Sequence, residues 1–163
     1  MIEEKNTRTH QLLCEKIIDF LESIRIPVVK ETLPKDTFLP GLRLQGGSIL
    51  MDPAQLQYPG DLLHEAGHIA VTEEALRPLI GTENMDPEWP SSGDEIATIL
   101  WSFAAARHLE LDLHVVFHAS GYKNDSEWII EQFNNHIYTG LPLLEWMSLC
   151  TKEEFPLMRK WLR

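Results

Sequence analysis

The sequence predicts an α+β fold, mostly helical, with one small sheet. Three observations carry that expectation. Apolar residues recur at three- and four-residue spacing from Leu12 to Ile24, two short apolar runs flank Gly46-Gly47, and a long alanine-rich segment follows Asp94. At 163 residues and 18.8 kDa the chain suits a single domain spanning 1–163. No interior stretch reads as a linker, and no segment repeats.

Taken in order, Leu12, Leu13, Ile17, Ile18, Leu21 and Ile24 fall on one face of a helix from Thr7 to Ile24, which Pro27 ends. The connection from Val28 to Pro40 has room for a short strand at Val28-Val29. Leu42–Gln45 and Ser48–Met51 read as a tight hairpin, because Gly46-Gly47 supplies the positive φ such turns demand. Asp61 suits the N-cap of a helix over Leu62–Val71. Arg77–Gly93 contains three prolines and two glycines and is expected to be mostly loop. A helix from Asp94 to Leu109 follows, with His108 at its end meeting the helix dipole. After a loop around His118–Asn124 comes a helix from Asp125 to His136. There Trp128, Ile129, Ile130, Phe133 and Ile137 read as the buried face. Leu141–Arg163 suggests one or two helices broken near Pro156.

Composition narrows the function classes. Fourteen Lys+Arg against 25 Asp+Glu give a net charge of −11, which repels nucleic-acid phosphates and anionic lipid headgroups. The expectation is therefore no nucleic acid and no membrane among the partners. No apolar run approaches the roughly 18 residues of a membrane span. The first residues lack the apolar core of a secretory signal. Two cysteines, Cys14 and Cys150, make no disulfide framework, so the expected home is the reducing cytoplasm.

Chemistry concentrates in Asp61-Leu62-Leu63-His64-Glu65-Ala66-Gly67-His68-Ile69-Ala70, which contains H-E-x-x-H. On a helix, residues four apart share a face, so His64 and His68 can offer imidazole nitrogens to one metal ion. Zinc suits such a pair together with a third protein ligand and an open position. Glu65 is long enough to take a proton from a water that the metal has made acidic. Leu63, Ala66, Gly67, Ile69 and Ala70 are uncharged, as expected of a helix buried except along its metal-facing edge. Gly67 costs about 1 kcal/mol against alanine inside a helix, and close approach of a second helix would explain it.

Leu63-His64-Glu65-Ala66-Gly67-His68 resembles the zincin metallopeptidases. A metzincin would have a glycine at Val71 and a third ligand at Glu74, and that glycine is missing. A peptide deformylase would need a cysteine ligand in a Glu-Gly-Cys segment, and Cys14 has no such context. The AAA proteases share the wording of the motif, but there is no P-loop. The chain is most similar to a gluzincin, in particular to the small bacterial ImmA/IrrE-type zincins, over about Leu42 to Leu109. That resemblance implies a zincin-like domain whose hairpin precedes the motif helix and lies beside an extended substrate. It further implies a third ligand from a glutamate on a downstream helix. Glu95 fits, 27 residues after His68, opening the segment Ile96-Ala97-Thr98…Ala104-Ala105-Ala106.

Glu95 also has a structural reading, because Ser92-Gly93-Asp94-Glu95 matches the capping box S-x-x-E. Asp94 is then the substitute ligand. Zincins often add a histidine or tyrosine that stabilises the oxyanion, and His118 and Tyr122, in a glycine-containing loop, are the candidates. His114 and His118 are also four apart, which makes a second metal site conceivable. The expected function is a zinc-dependent peptidase with His64, His68 and Glu95 on the metal, Glu65 as general base, and a peptide or protein as substrate. The alternative is a zinc-binding module on the same scaffold that serves protein contact or sensing.

Overall fold

The computed structural model describes residues 1–163 as one α+β domain of six α-helices and a three-stranded sheet. Helix α1 runs from Ile2 to Ser23, longer than its apolar periodicity. Glu3 to Thr9 are exposed, so the periodic pattern marks only the part that packs, through Ile17, Phe20 and Leu21. Leu12 stays in solvent for the same reason.

Strand β1 is Val28–Lys30, β2 is Leu42–Gln45 and β3 is Ser48–Met51. The expected hairpin forms, with Gln45 opposite Ser48 across Gly46-Gly47. β1 joins β3 in parallel, giving the order β1-β3-β2 and leaving β2 as an edge. Asp52, just after β3, ties the β1–β2 connection down. Its carboxylate accepts from the backbone N–H of Leu33 and Ala54 (both 3.0 Å) and from the Gln55 amide (2.7 Å). These bonds hold its carboxyl below the usual carboxylate range.

Helix α2 (Asp61–Ala70) and α3 (Ser92–His108) are packed together at the centre, and α1 lies against α2. Between α2 and α3 the chain makes one 3-10 turn, Arg77–Leu79, in an otherwise irregular stretch. A four-residue helix α4 (Leu113–Val116) was not legible in the sequence. α5 spans Ser126–Asn134 and buries Ile129, Ile130 and Phe133. Trp128 and Ile137, expected on that buried face, are instead exposed. Trp128 sits one position off the buried stripe, and Ile137 lies past the helix end.

α6 covers Leu141–Trp146, and the rest of the tail is turns rather than a second helix. This tail docks by particular contacts. The Trp101 indole N–H donates to the Trp161 carbonyl (3.0 Å), and the Trp161 ring meets Phe20, His108 and Trp101. His108 thus ends α3 among aromatic rings. The Arg163 backbone N–H donates to the Ala70 carbonyl (2.9 Å), and its guanidinium reaches the Val71 carbonyl and Glu73 while lying over Trp146. Arg77 in turn donates to the carbonyls of Thr72 and Arg163. Together these groups close the C-terminal end of α2. Among the described residues no helix is long and apolar enough to cross a membrane.

Candidate metal centre

Two close approaches position the motif helix. Gly60 is its N-cap in place of the expected Asp61, and a Cβ there would lie 1.9 Å from the Val115 carbonyl oxygen. Only glycine lets α4 press on the start of α2, and Asp61 becomes the first helical residue. At Gly67 a Cβ would stand 2.8 Å from Thr98 Cγ2, 3.2 Å from the Thr98 carbonyl and 3.3 Å from the Trp101 ring. The glycine therefore admits α3, as its cost in the sequence suggested. Every residue of α2 is buried except Glu65, and on α3 Ala97, Ala104, Ala105 and Ala106 are buried small residues.

The start of α3 sends Asp94 and Glu95 to different partners. Its capping box is Ser91 with Asp94, one residue earlier than the sequence pairing. The Asp94 N–H donates to Ser91 Oγ (3.1 Å), and the Ser91 N–H donates back to Asp94 Oδ2 (2.9 Å). Asp94 is occupied there, and Glu95 is released from any cap. Its carboxylate turns to the histidines, with Oε1 3.1 Å from His64 Nε2 and Oε2 3.2 Å from His68 Nε2.

The two Nε2 atoms are 3.1 Å apart. The other nitrogens have partners of their own. His64 Nδ1 lies 3.2 Å from the Tyr122 hydroxyl, and His68 Nδ1 lies 3.3 Å from Thr98 Oγ1. Protons on Nδ1 satisfy both contacts and leave both Nε2 lone pairs aimed at one point beside a carboxylate. Two imidazole nitrogens and a carboxylate this close are reconciled by a proton shared with Glu95 or by a cation between them. Ligands about 2.0–2.1 Å from a tetrahedral zinc lie roughly 3.3–3.4 Å from each other. The observed spacings of 3.1–3.2 Å are close to that, so the donor set fits a metal ion.

Outer contacts hold the rings. The Thr72 hydroxyl donates to the His68 carbonyl (2.6 Å) and accepts from the Trp89 indole N–H (3.1 Å). Trp89 stands edge-on to His68 and walls a cavity of about 750 Å³. Thr98 and Thr72 were missed at the sequence level. Each carries a signal in hindsight, since Thr98 is three residues from Glu95 and Thr72 four from His68, on the same helical faces. Trp89 has none.

The electrostatics follow from burial. Desolvation pushes the Glu65 carboxyl up to about 7, opposed by His64 and reinforced by the charges of Asp61 and Glu95. Burial, together with His64, presses His68 down to about 4, which keeps it neutral and able to ligate. At His64 burial opposes the charge, but the bond to Glu95 and the nearby Glu65 and Asp61 outweigh it and raise the group. Burial opposes ionisation of Glu95 too, and the two histidines outweigh it, so its carboxyl falls below the ordinary value. Glu65 lines the same cavity as His64, His68 and Glu95.

The two oxyanion candidates, His118 and Tyr122, line a second cavity of about 510 Å³ together with His64 and Glu95. His118 Nε2 is 2.7 Å from Asp61 Oδ1, both groups buried, and its ring stacks on Tyr58 at 3.9 Å. Ser126 Oγ donates to the His118 carbonyl (2.6 Å). His118 thereby fastens the following loop to the start of α2. Tyr122 lies on that loop, on the Nδ1 side of His64 and so across the ring from the ligand cluster. Burial, with Asp61 and Glu95 nearby, pushes its phenol up, so the hydroxyl stays protonated. His114 bonds Asp112 and Glu127 (2.9 Å each) through different ring nitrogens, and His118 is committed to Asp61, so the two form no second metal site.

No family model, no curated protein and no solved structure matches this chain.

Proposed function

We propose that this chain is a zinc-dependent peptidase of the zincin type, acting on a peptide or protein. One observation carries the reading: His64, His68 and Glu95 converge from two tightly packed helices while Glu65, one residue from His64, faces the same cavity. Zinc, when bound by these three residues, supplies the Lewis acidity that activates water and polarises a carbonyl. Glu65 takes the proton of the attacking water. A carboxyl lifted toward neutrality by burial holds that proton until the departing amine needs it. Tyr122 and Thr98 keep the imidazole planes fixed throughout.

A peptide fits the cavity for a second reason. Leu42, Arg43 and Leu44 of the edge strand β2 line it. The Leu42 and Gly46 N–H groups are taken by the carbonyls of Leu39 and Ile80, and Gly81 packs against the Leu44 carbonyl, where a Cβ would stand 2.8 Å from the oxygen. A substrate lying along β2 therefore meets its side chains and the Leu44 N–H rather than a full strand edge.

The test is zinc content by mass spectrometry alongside hydrolysis of a peptide library. Wild type is expected to hold about one zinc per chain and to cleave. Glu65→Gln is expected to keep the zinc and lose turnover. Turnover retained in that variant overturns the mechanism. Zinc uptake with no cleavage by wild type leaves a zinc-binding module, and no uptake at all removes the metal centre.

A further inference from the structure

The loop between β1 and β2 has no role in the chemistry above, yet it borders the metal centre. Its ends are fixed. The Leu33 N–H donates to Asp52 Oδ2 (3.0 Å), the Asp52 N–H donates to the Gly41 carbonyl (2.8 Å), and a Cβ on Gly41 would stand 2.5 Å from the Leu56 nitrogen. The middle is free. Among the described residues, Pro34 to Phe38 make no hydrogen bond outside the loop, and the Thr37 hydroxyl turns inward to the Leu39 carbonyl (2.7 Å). The segment is a strap, held at two neighbouring points and loose between them. Phe38 lies in the loose span and is 95% exposed. An exposed apolar residue by itself signifies little, so its location has to carry the argument. The 750 Å³ and 510 Å³ cavities share four lining residues: Phe38, His64, Glu95 and Lys123. The two cavities therefore meet at the metal ligands, and a chain passing from one to the other passes Phe38.

We propose that Phe38 is a substrate-binding residue that clamps the peptide backbone at the metal centre. The inference rests on the peptidase reading and adds to it a contact that does not depend on the substrate's side chains. The ring, surrounded by water, gains burial only when a chain occupies the junction of the two cavities. An aromatic side chain offers a large contact area at low conformational-entropy cost, because it has only two χ angles. The fixed ends lower the ordering cost further, since the strap settles as one unit instead of folding from a disordered loop.

The experiment uses zinc-loaded full-length chain and two zinc-binding probes. Acetohydroxamate reaches the metal alone. A phosphinic tetraalanine, with a phosphinate in place of its central peptide bond, extends along the cleft on both sides of the metal. Affinity is measured by calorimetry, and Phe38 is followed by hydroxyl-radical footprinting. The phosphinic peptide is expected to protect Phe38 from oxidation, and acetohydroxamate is expected to leave it unprotected. Phe38→Ala is expected to weaken the phosphinic peptide about tenfold, the usual scale for truncating an aromatic contact residue. Acetohydroxamate binding and zinc stoichiometry should not change in that variant. Phe38→Tyr should restore most of the lost affinity.

Equal protection by the two probes overturns the clamp and leaves the peptidase reading to the hydrolysis assay. Equal affinity of wild type and Phe38→Ala for the phosphinic peptide does the same. So does failure of the phosphinic peptide to bind the zinc-loaded chain, because a grip on the backbone needs no side chains. Should the chain take up no zinc, the peptidase reading fails, and N-acetyl-tetraalanine amide replaces both probes. Protection of Phe38 by that amide supports the backbone contact without the metal; no protection overturns both.

Discussion

Asp94 and Glu95 are consecutive residues whose carboxyls face different partners: Asp94 closes the cap on Ser91, and Glu95 spans the 3.1–3.2 Å to His64 and His68. One turn of α3 thus holds a capping acid and an acid that faces the two histidines side by side. Glu95→Ala is expected to abolish zinc binding. Asp94→Ala is expected to leave the zinc stoichiometry at one while costing about 1 kcal/mol of stability, the usual worth of a cap. Metal analysis and urea unfolding of the two variants check the division, and zinc lost from Asp94→Ala would refute it.

Tyr122→Phe keeps the ring and removes the hydroxyl behind His64 Nδ1. Zinc affinity is expected to fall by about 10–100-fold, the scale of such supporting contacts, with the fold intact. Competition against a chromophoric chelator measures it. An unchanged affinity would show that the imidazole needs no such support.

Gly67→Ala is favoured by helix propensity by about 1 kcal/mol. The new methyl, however, would press within 2.8 Å of Thr98 Cγ2 and 3.2 Å of the Thr98 carbonyl. Overpacking of that kind costs about 1–3 kcal/mol, so the variant is expected to be less stable than wild type. Thr98→Ser removes the nearest methyl while keeping the hydroxyl near His68, and should recover part of the loss. Chemical denaturation of both singles and the double provides the cycle.

His114, paired with Asp112 and Glu127, has its pKa raised above 6.5 by those two bonds. A raised folded value means that the stabilisation is complete below pH 6.5 and is lost as pH climbs through the folded pKa. Both partners are exposed, so the effect is small and fades with salt. NMR titration of the His114 ring is expected to give a midpoint above 6.5, moving down in Glu127→Gln. A midpoint at or below 6.5 would contradict the pairing.

Legibility differed by element for physical reasons. The β2–β3 hairpin was readable because Gly46-Gly47 leaves one register between two four-residue strands. The ligand pair was readable because a four-residue interval has only one meaning on a helix. Glu95 was ambiguous because two serines precede it, and Ser91 rather than Ser92 proved to be the cap. Tyr122 was legible as a candidate, but its hydroxyl contact with His64 was not. It begins a turn, Tyr122–Asn124, whose three residues all have positive φ, a conformation set by tertiary contacts rather than by local preference. Of the one or two helices expected in the tail, one forms, and the residues after Trp146 are not helical because apolar side chains there serve contacts to α1 and α3, not a periodic face.

Arg163 completes the last turn of the helix that carries both histidines. That contact is 92 residues from the Val71 carbonyl it meets, so it also sets an order of events during synthesis. A chain translated only as far as residue 95 already carries His64, His68 and Glu95, but the carbonyls of Ala70 and Val71 at the end of the histidine helix gain their Arg163 partners only after residue 163 has been made and has emerged.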